Sequence, residues 1–496
     1  MPADVDLADL RRACAAPVPH PDAAALRDFA EQTLDYLLRH HATLPEQPIG
    51  RGAARADMEA LLREPPPERG QDFADVLAQF TEDVAPFACR INHPRFLAFV
   101  PSAPTFLSAL GDFLCAGTNF FGGVWVEASG PSQVELVVLD WFRDFLGLPR
   151  ETSGVLTSGG SEANLTALVV ARDQVADADR PRAVLYVAEQ RHWSIDRAAK
   201  IIGLRAEQVQ PVVDGADFCL PPAALRAAVA RDRAAGRVPW AVVANAGATN
   251  TGAVDPLAAL AGVCAAERLW LHADAAYGWT AALTPDGRAE LAGVERADSV
   301  TLDPHKWLAQ TFEAGCLLVR DGRLLARTFA MRPEYMQDVE PGHDEVNFSD
   351  RGLALTRRFR ALKIWLSLKV LGVGWFRELV AHSRRLAAFA QRLLETDEAF
   401  EVLSPRRLSV VCFRYAPAAL RGRDPEELDR LNLRLIDALR ATGRAFLSST
   451  RLRGRVAIRF CFVNWRTTAA DVEEIAGLLR TLGDQLVGQT PSEPEA

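Results

Sequence analysis

The sequence predicts an α/β protein with a mainly parallel sheet at its centre, and three observations carry that reading. Between residues 154 and 319, about seven short apolar runs rich in β-branched residues alternate with stretches of helical period. Such alternation implies parallel strands joined by crossover helices, with both faces of the sheet covered. Ahead of this region the chain reads as helices alone, and behind it helices mix with strands that suit one antiparallel sheet. A chain of 496 residues is too long for one simple core. The expected division is a helical segment over residues 1–90, a large α/β domain over 91–375 and a small α+β domain over 376–496.

Taken in order, residues 22–41 carry Ala25, Leu26, Phe29, Leu34, Leu37 and Leu38 at helical spacing. Short helices follow over 54–62 and 72–81, separated by Pro65-Pro66-Pro67. This segment is too thin to bury its own apolar stripe. An extended piece, HPRFLAFVP, spans 93–101, and helices are expected over 106–115 and 132–146. Strands are expected near 154–156, 183–187, 208–212, 241–244, 269–273, 299–302 and 316–319, with helices between them. A long helix over 353–376 leads out of the sheet and a second covers 382–394. Strands at 400–403, 408–414 and 455–460 then flank a helix at 425–441, and a last helix runs 470–486 behind Thr467-Thr468, a good capping pair.

Bulk properties exclude several function classes. Hydrophobic residues at 49% and charged residues at 24% are ordinary for a soluble globular chain. Two arginine clusters occur (Arg357, Arg358, Arg360 and Arg451, Arg453, Arg455), but the net charge is −8. That balance gives no footprint for nucleic acid and no polybasic membrane patch. The eight cysteines show no CxxC pairing and sit mostly in apolar contexts, as at Cys115, Cys264, Cys412 and Cys461. This predicts a reducing compartment and no metal site. The N-terminus lacks a secretory pattern and no run of about 18 apolar residues exists, so a cytoplasmic location is expected.

The chemistry concentrates in Ala297–Cys316, ADSVTLDPHKWLAQTFEAGC. A β-branched strand, Ser299–Leu302, is closed by Asp303-Pro304, and then come His305, Lys306 and Trp307. A lysine between a proline-closed strand and an aromatic is poorly placed for a solvated charge. A buried lysine sheds its proton readily, and the neutral amine can condense with an aldehyde. Upstream, the strand Leu269–Ala273 ends at Asp274 in LHADAAYGW. One lysine for an aldehyde and one carboxylate for a ring nitrogen are the parts that pyridoxal phosphate needs. A third stretch, Ser158-Gly159-Gly160-Ser161-Glu162-Ala163-Asn164, follows a strand and opens a helix. Glycines there let a backbone approach an anion, and free N–H groups at the helix start can bind it.

On DPHKW and HADAAY, with supporting segments over roughly residues 20–480, the sequence resembles the group II pyridoxal-phosphate decarboxylases of the aromatic L-amino acid decarboxylase type. The resemblance implies a fold-type I large domain with a seven-stranded sheet. It implies a homodimer with the site at the subunit interface, the helices of residues 1–90 packing across the two-fold. It gives Gly160, Ser161 and Thr249 to the cofactor, Asp274 to its ring nitrogen and Lys306 to its aldehyde. Asp303 stands near the phosphate where relatives often carry asparagine, so its part in holding that anion is open. His192, in EQRHWSIDRAAKIIGL, would stack on the cofactor ring near the substrate carboxylate, and His305 would line the site. Tyr335, on a loop over Thr328–Glu340, would return a proton to the substrate after CO₂ leaves. Ser102, Phe121 and Thr356 would face the substrate, with Phe121 coming from the neighbouring subunit. Gly123 departs from the bulkier aromatic usual at its position, and the hydroxyl of Thr356 leans toward a phenolic substrate. The reading is a cytoplasmic enzyme that converts an aromatic L-amino acid to its amine and CO₂. Three alternatives stay open: an aromatic aldehyde synthase, a decarboxylase of glutamate or diamino acids, and a non-catalytic dimeric binding protein on the same fold.

Overall fold

The computed structural model describes residues 6–100, 103–331, 334, 341–342, 344–422 and 424–488. The chain divides into two compact units, Met1–Cys89 and Arg90–Ala496.

The first unit is helical. Its main element, Ala23–Thr43, starts at Asp22, whose carboxylate accepts from the N–H groups of Ala24 and Ala25. The helix buries none of its residues, and Leu26, Leu34, Leu37 and Leu38 are exposed. Phe29 stacks on Phe73 of the helix Phe73–Gln79.

The second unit is built on a seven-stranded sheet. Its strands are β1 (Ser153–Thr157), β2 (Ala183–Ala188), β3 (Val209–Val212), β4 (Val238–Asn245), β5 (Trp270–Asp274), β6 (Ser299–Leu302) and β7 (Gly315–Val319), in the order β1-β7-β6-β5-β4-β2-β3. The pairs β2–β3, β2–β4, β4–β5 and β5–β6 are parallel, whereas β7 runs antiparallel to both β1 and β6. This is the mainly parallel sheet of fold-type I. Both faces are buried, and the strand period of two shows it directly. In β2, Val184, Tyr186 and Ala188 pack into one core, while Ala183, Leu185 and Val187 pack into the other. Leu225 and Val229 of the helix Pro222–Ala234 cover the first face, and Ile195 and Ala198 of Trp193–Ile201 cover the second.

A four-stranded antiparallel sheet follows: β8 (Phe400–Val402), β9 (Val410–Tyr415), β10 (Ser448–Leu452) and β11 (Arg455–Cys461), in the order β10-β11-β9-β8. Strand β10 is an addition to the sequence reading. Its run SSTRL is polar and carries no apolar signal, and it is held by its hairpin to β11.

Two helix boundaries differ from expectation for identifiable reasons. The helix expected from residue 353 begins at Ala361. Before it, Arg357 O accepts from Gly122 N at 2.7 Å and Phe121 bridges Arg358, so this backbone is extended. The helix then runs to Glu395 with one break at Gly372 (φ 75°, ψ 155°), a left-handed position that glycine adopts at little cost. The helix expected from residue 132 begins at Trp125, bends at Ala128, and carries Pro131 just past the bend.

Candidate active site

The carboxyl ends of five sheet strands deliver one set of polar side chains to one place, as open α/β sheets do with their ligands. Past β1 lie Ser158–Ser161, past β2 His192, past β4 Thr249, at the end of β5 Asp274, and past β6 Asp303, His305 and Lys306. All of these line one cavity of about 350 Å³. The turn after β6 is anchored beneath by Trp307. Its ring is buried, stacks on Tyr277 at 5.3 Å and donates from Nε1 to Ser383 Oγ at 3.1 Å. Lys306 is thereby fixed in place, and its Nζ lies 3.0 Å from Asp303 Oδ2.

The stretch SGGSEAN opens the helix Gly160–Asp173. The carboxylate of Glu162 accepts from Ser158 N at 2.7 Å and Ser158 Oγ at 2.6 Å, which ties the turn down. The glycines leave the wall open. A Cβ on Gly160 would stand 2.9 Å from Asp303 Oδ2, and one on Gly159 would stand 3.2 Å from His305 Cε1. Across the cavity Gly247 adopts φ +115°, a turn that L side chains rarely make.

Asp274 is buried and accepts from Ala276 N at 3.2 Å and Asn164 Nδ2 at 3.1 Å. It has no lysine or arginine partner among the described residues. His192 Nδ1 accepts from Ser194 Oγ at 2.8 Å and from Ser194 N at 3.3 Å, so its remaining proton sits on Nε2. Burial lowers the pKa of His192, with Asp274 opposing, and favours the neutral ring. His305 behaves alike: burial lowers its pKa, Asp303 opposes, and its Nδ1 accepts from Ala314 N at 3.1 Å.

Of the residues singled out from sequence, Gly160, Ser161, His192, Thr249, Asp274, Asp303 and Lys306 therefore share one cavity, with His305. Phe121 and Thr356 are exposed and do not line it. The ring of Phe121 lies where a side chain on residue 123 would go, with its Cζ 2.4 Å from a Cβ built on Gly123. The small residue at 123 thus makes room for the large one at 121. Of the loop expected over 328–340, Thr328 and Phe329 end the helix Arg323–Phe329. Tyr335 and Ser102 lie outside the described residues.

Sequence reasoning missed three contributors. Asn164 and Ser194 join Asp274 to His192, and each is one short step from a residue that was identified. Arg459 of β11 is buried and donates to the carbonyl of Thr249. Nothing in the sequence connects a small-domain arginine to that loop.

Comparison with known proteins bears on this arrangement. The family model described as "Pyridoxal-dependent decarboxylase conserved domain" matches residues 56–416. An aromatic-L-amino-acid decarboxylase from Bacillus atrophaeus is 39% identical over 465 residues, covering 94% of this chain and 96% of that protein. The chain belongs to the pyridoxal-dependent decarboxylase family. A phenylacetaldehyde synthase of Arabidopsis thaliana is 30% identical over 88% of this chain and 91% of its own length. The crystal structure of Oryza sativa TDC with PLP and tryptamine superposes with a TM-score of 0.90 at 29% identity, covering 95% of this chain and 100% of that one.

The cofactor of this decarboxylase family is pyridoxal 5'-phosphate, and the residues present suit it. A buried carboxylate without a lysine or arginine partner among the described residues matches a ring N–H, a lysine amine matches an aldehyde, and a glycine wall at a helix start matches a phosphate.

Proposed function

We propose that this chain is a homodimeric, cytoplasmic enzyme that decarboxylates an aromatic L-amino acid to its amine. The observation that carries the reading is the convergence of Lys306, Asp274 and His192 on one cavity, in a chain so similar to an aromatic-L-amino-acid decarboxylase.

The residues divide the work as follows. Lys306 Nζ would hold the cofactor through its aldehyde. Gly160, Ser161 and the N–H groups opening the helix Gly160–Asp173 take the phosphate, with Thr249 beside them. Asp274 would hold the cofactor at its ring nitrogen and favour the protonated form. When bound, the cofactor supplies an electron sink for the bond to the departing CO₂. His192, neutral and protonated on Nε2, would stand over the cofactor and offer that proton to the substrate carboxylate. Tyr335 gives the proton that replaces CO₂ on Cα.

Exposed apolar surface supports the dimer. Besides the leucines of Ala23–Thr43, the helix Phe106–Thr118 leaves Phe113 and Leu114 more than half exposed. Apolar faces of this kind mark subunit contacts. In the dimer Phe121 and Thr356, with Ser102, meet the substrate side chain. The eight cysteines are all free, in keeping with a reducing compartment. Among the described residues no helix is long and apolar enough to cross a membrane.

The test is product analysis. The holoenzyme is incubated with L-phenylalanine, L-tyrosine, L-tryptophan, L-glutamate and L-2,4-diaminobutyrate while CO₂, amine and O₂ are followed. Equal amounts of CO₂ and amine from an aromatic substrate, without O₂ uptake, are expected. O₂ consumed in step with CO₂ would make the chain an aldehyde synthase. Release of CO₂ from glutamate or diaminobutyrate alone would overturn the substrate class.

A further inference from the structure

A chain of buried side-chain hydrogen bonds passes beneath the cavity floor. Trp270 Nε1 donates to Ser299 Oγ at 2.8 Å. Ser299 Oγ lies 2.8 Å from His272 Nδ1, and His272 Nε2 lies 3.0 Å from Asn164 Oδ1. Asn164 Nδ2 reaches Ser194 Oγ at 3.0 Å and Asp274 Oδ2 at 3.1 Å. Ser194 Oγ then meets His192 Nδ1. Asn164, Ser194, His272 and Ser299 are all buried, so no water competes for these bonds.

Thr301 Oγ1 also lies 3.5 Å from His272 Nε2, and the following assignment satisfies every member of the chain. The Asp274 carboxylate accepts, so Asn164 turns Nδ2 toward it and Oδ1 toward His272 Nε2, which must carry the ring proton; His272 Nδ1 then accepts from Ser299 Oγ, which itself accepts from Trp270 Nε1. His272 is neutral, since burial pushes its pKa down to about 4, so this is its one ring proton. That proton goes to Asn164 Oδ1. Both amide hydrogens then point outward, one to the Asp274 carboxylate and one to Ser194 Oγ. His192 Nδ1 already accepts from Ser194 N, so Ser194 Oγ, which accepts from Asn164, gives its hydroxyl proton to the same nitrogen, and the His192 proton sits on Nε2.

We infer that Asn164 is a positioning residue that acts on Asp274 and His192 at once, through the two hydrogens of one amide. Its first hydrogen holds one oxygen of Asp274 and orients the carboxylate toward the cavity. Its second acts through Ser194 to hold the His192 tautomer that donates from Nε2. The inference rests on the proposed pairing of Asp274 with the cofactor ring nitrogen.

The test uses Asn164→Leu, which keeps the shape and removes both donors, together with Ser194→Ala and the double variant. Two quantities are read: the dissociation constant for pyridoxal 5'-phosphate, by titration of each apoprotein, and kcat/KM. The assay uses whichever of L-phenylalanine, L-tyrosine and L-tryptophan the wild type turns over fastest. Asn164→Leu is expected to weaken cofactor binding about tenfold, as loss of one hydrogen bond to a charged group does. Ser194→Ala should leave cofactor affinity unchanged and lower kcat/KM. Adding Ser194→Ala to Asn164→Leu should then lower kcat/KM little further, because that arm is already broken. Unchanged cofactor affinity in Asn164→Leu, or kcat/KM losses that multiply, overturns the inference. Should Asn164→Leu fail to fold, Asn164→Thr, with a single donor for two acceptors, must move at least one of the two readouts. Asp274→Ala is the reference. If it too leaves cofactor affinity unchanged, the assignment of Asp274 fails; if it alone weakens binding, only the role of Asn164 does.

Discussion

Asp303 Oδ2 and Lys306 Nζ lie 3.0 Å apart, and the same carboxylate oxygen stands against the open face of Gly160. One buried carboxylate thus touches both the lysine and the glycine wall. Its other oxygen, Oδ1, has no hydrogen-bond partner among the described residues, so Lys306 is its main source of compensation.

Removing the lysine should therefore do two separable things. Lys306→Ala is expected to abolish turnover and borohydride trapping of the cofactor on the protein. It should also destabilise the apoprotein by about 2 kcal/mol, less than for a fully enclosed pair because Lys306 is partly exposed. The double variant Lys306→Ala/Asp303→Asn should recover most of that stability without recovering turnover. Urea unfolding of the three apoproteins decides it, and equal stability of single and double variants would mean that the pair does not act as one.

Glu135 and Arg357 form a second buried pair, Oε1 to Nη2 at 2.6 Å. Glu135 also accepts from Leu156 N, and Arg357 donates to Leu156 O and Gly122 O. These bonds tie β1 to the extended residues before Ala361. Glu135→Ala strands a buried guanidinium and is expected to cost about 3–5 kcal/mol, seen as a lowered urea midpoint. A loss below about 1 kcal/mol, the value of a surface pair, would mean that water reaches Arg357.

His272 gives the acid limb of stability a specific cause. In the unfolded chain its ring takes a proton near pH 6.5, whereas burial holds the folded ring neutral down to about pH 4. Across that window the unfolded state binds the extra proton, so acidification favours unfolding, by about 3 kcal/mol at the lower end. His272→Gln should flatten this limb. Unfolding free energies measured from pH 6.5 to 4.5 are expected to fall less steeply for the variant, and parallel curves would exclude the residue as the source.

Tyr335→Phe separates the leading function from its nearest rival. The variant keeps the ring and loses the proton, so it should still bind cofactor and still release CO₂. Its product is expected to shift from amine toward aldehyde, with O₂ uptake. Amine formed at an unchanged rate without O₂ uptake would remove Tyr335 from the proton transfer.

The parts of the molecule legible in sequence were those with local signals. The runs of β2, β4, β5 and β6 fall within a few residues of expectation, because strands buried on both faces are mostly apolar. Asp274 was found because it ends one such run, and Lys306 because it follows the proline that closes another. What escaped depends on distant partners. Arg357 read as one of a basic cluster, yet its partner Glu135 lies on a helix more than two hundred residues earlier. Asn164 gave no sign of its role until β5 placed His272 and Asp274 on either side of its amide. Strand β10 has no apolar face of its own, so only its pairing reveals it.

The antiparallel β7 also has a bearing on how the protein is made. It is the strand that joins β1 to β6, through the pairings Leu156↔Cys316 and Leu302↔Cys316. The glycine wall follows β1 and the lysine precedes β7, so the two sides of the cavity meet only after the ribosome has released Gly315–Val319. A nascent chain stopped short of that point carries β1, which leads to Gly160 and Ser161, without its partner strand, which leaves it open to misassociation. The two walls of the cavity are therefore joined within the sheet only once β7 has been made.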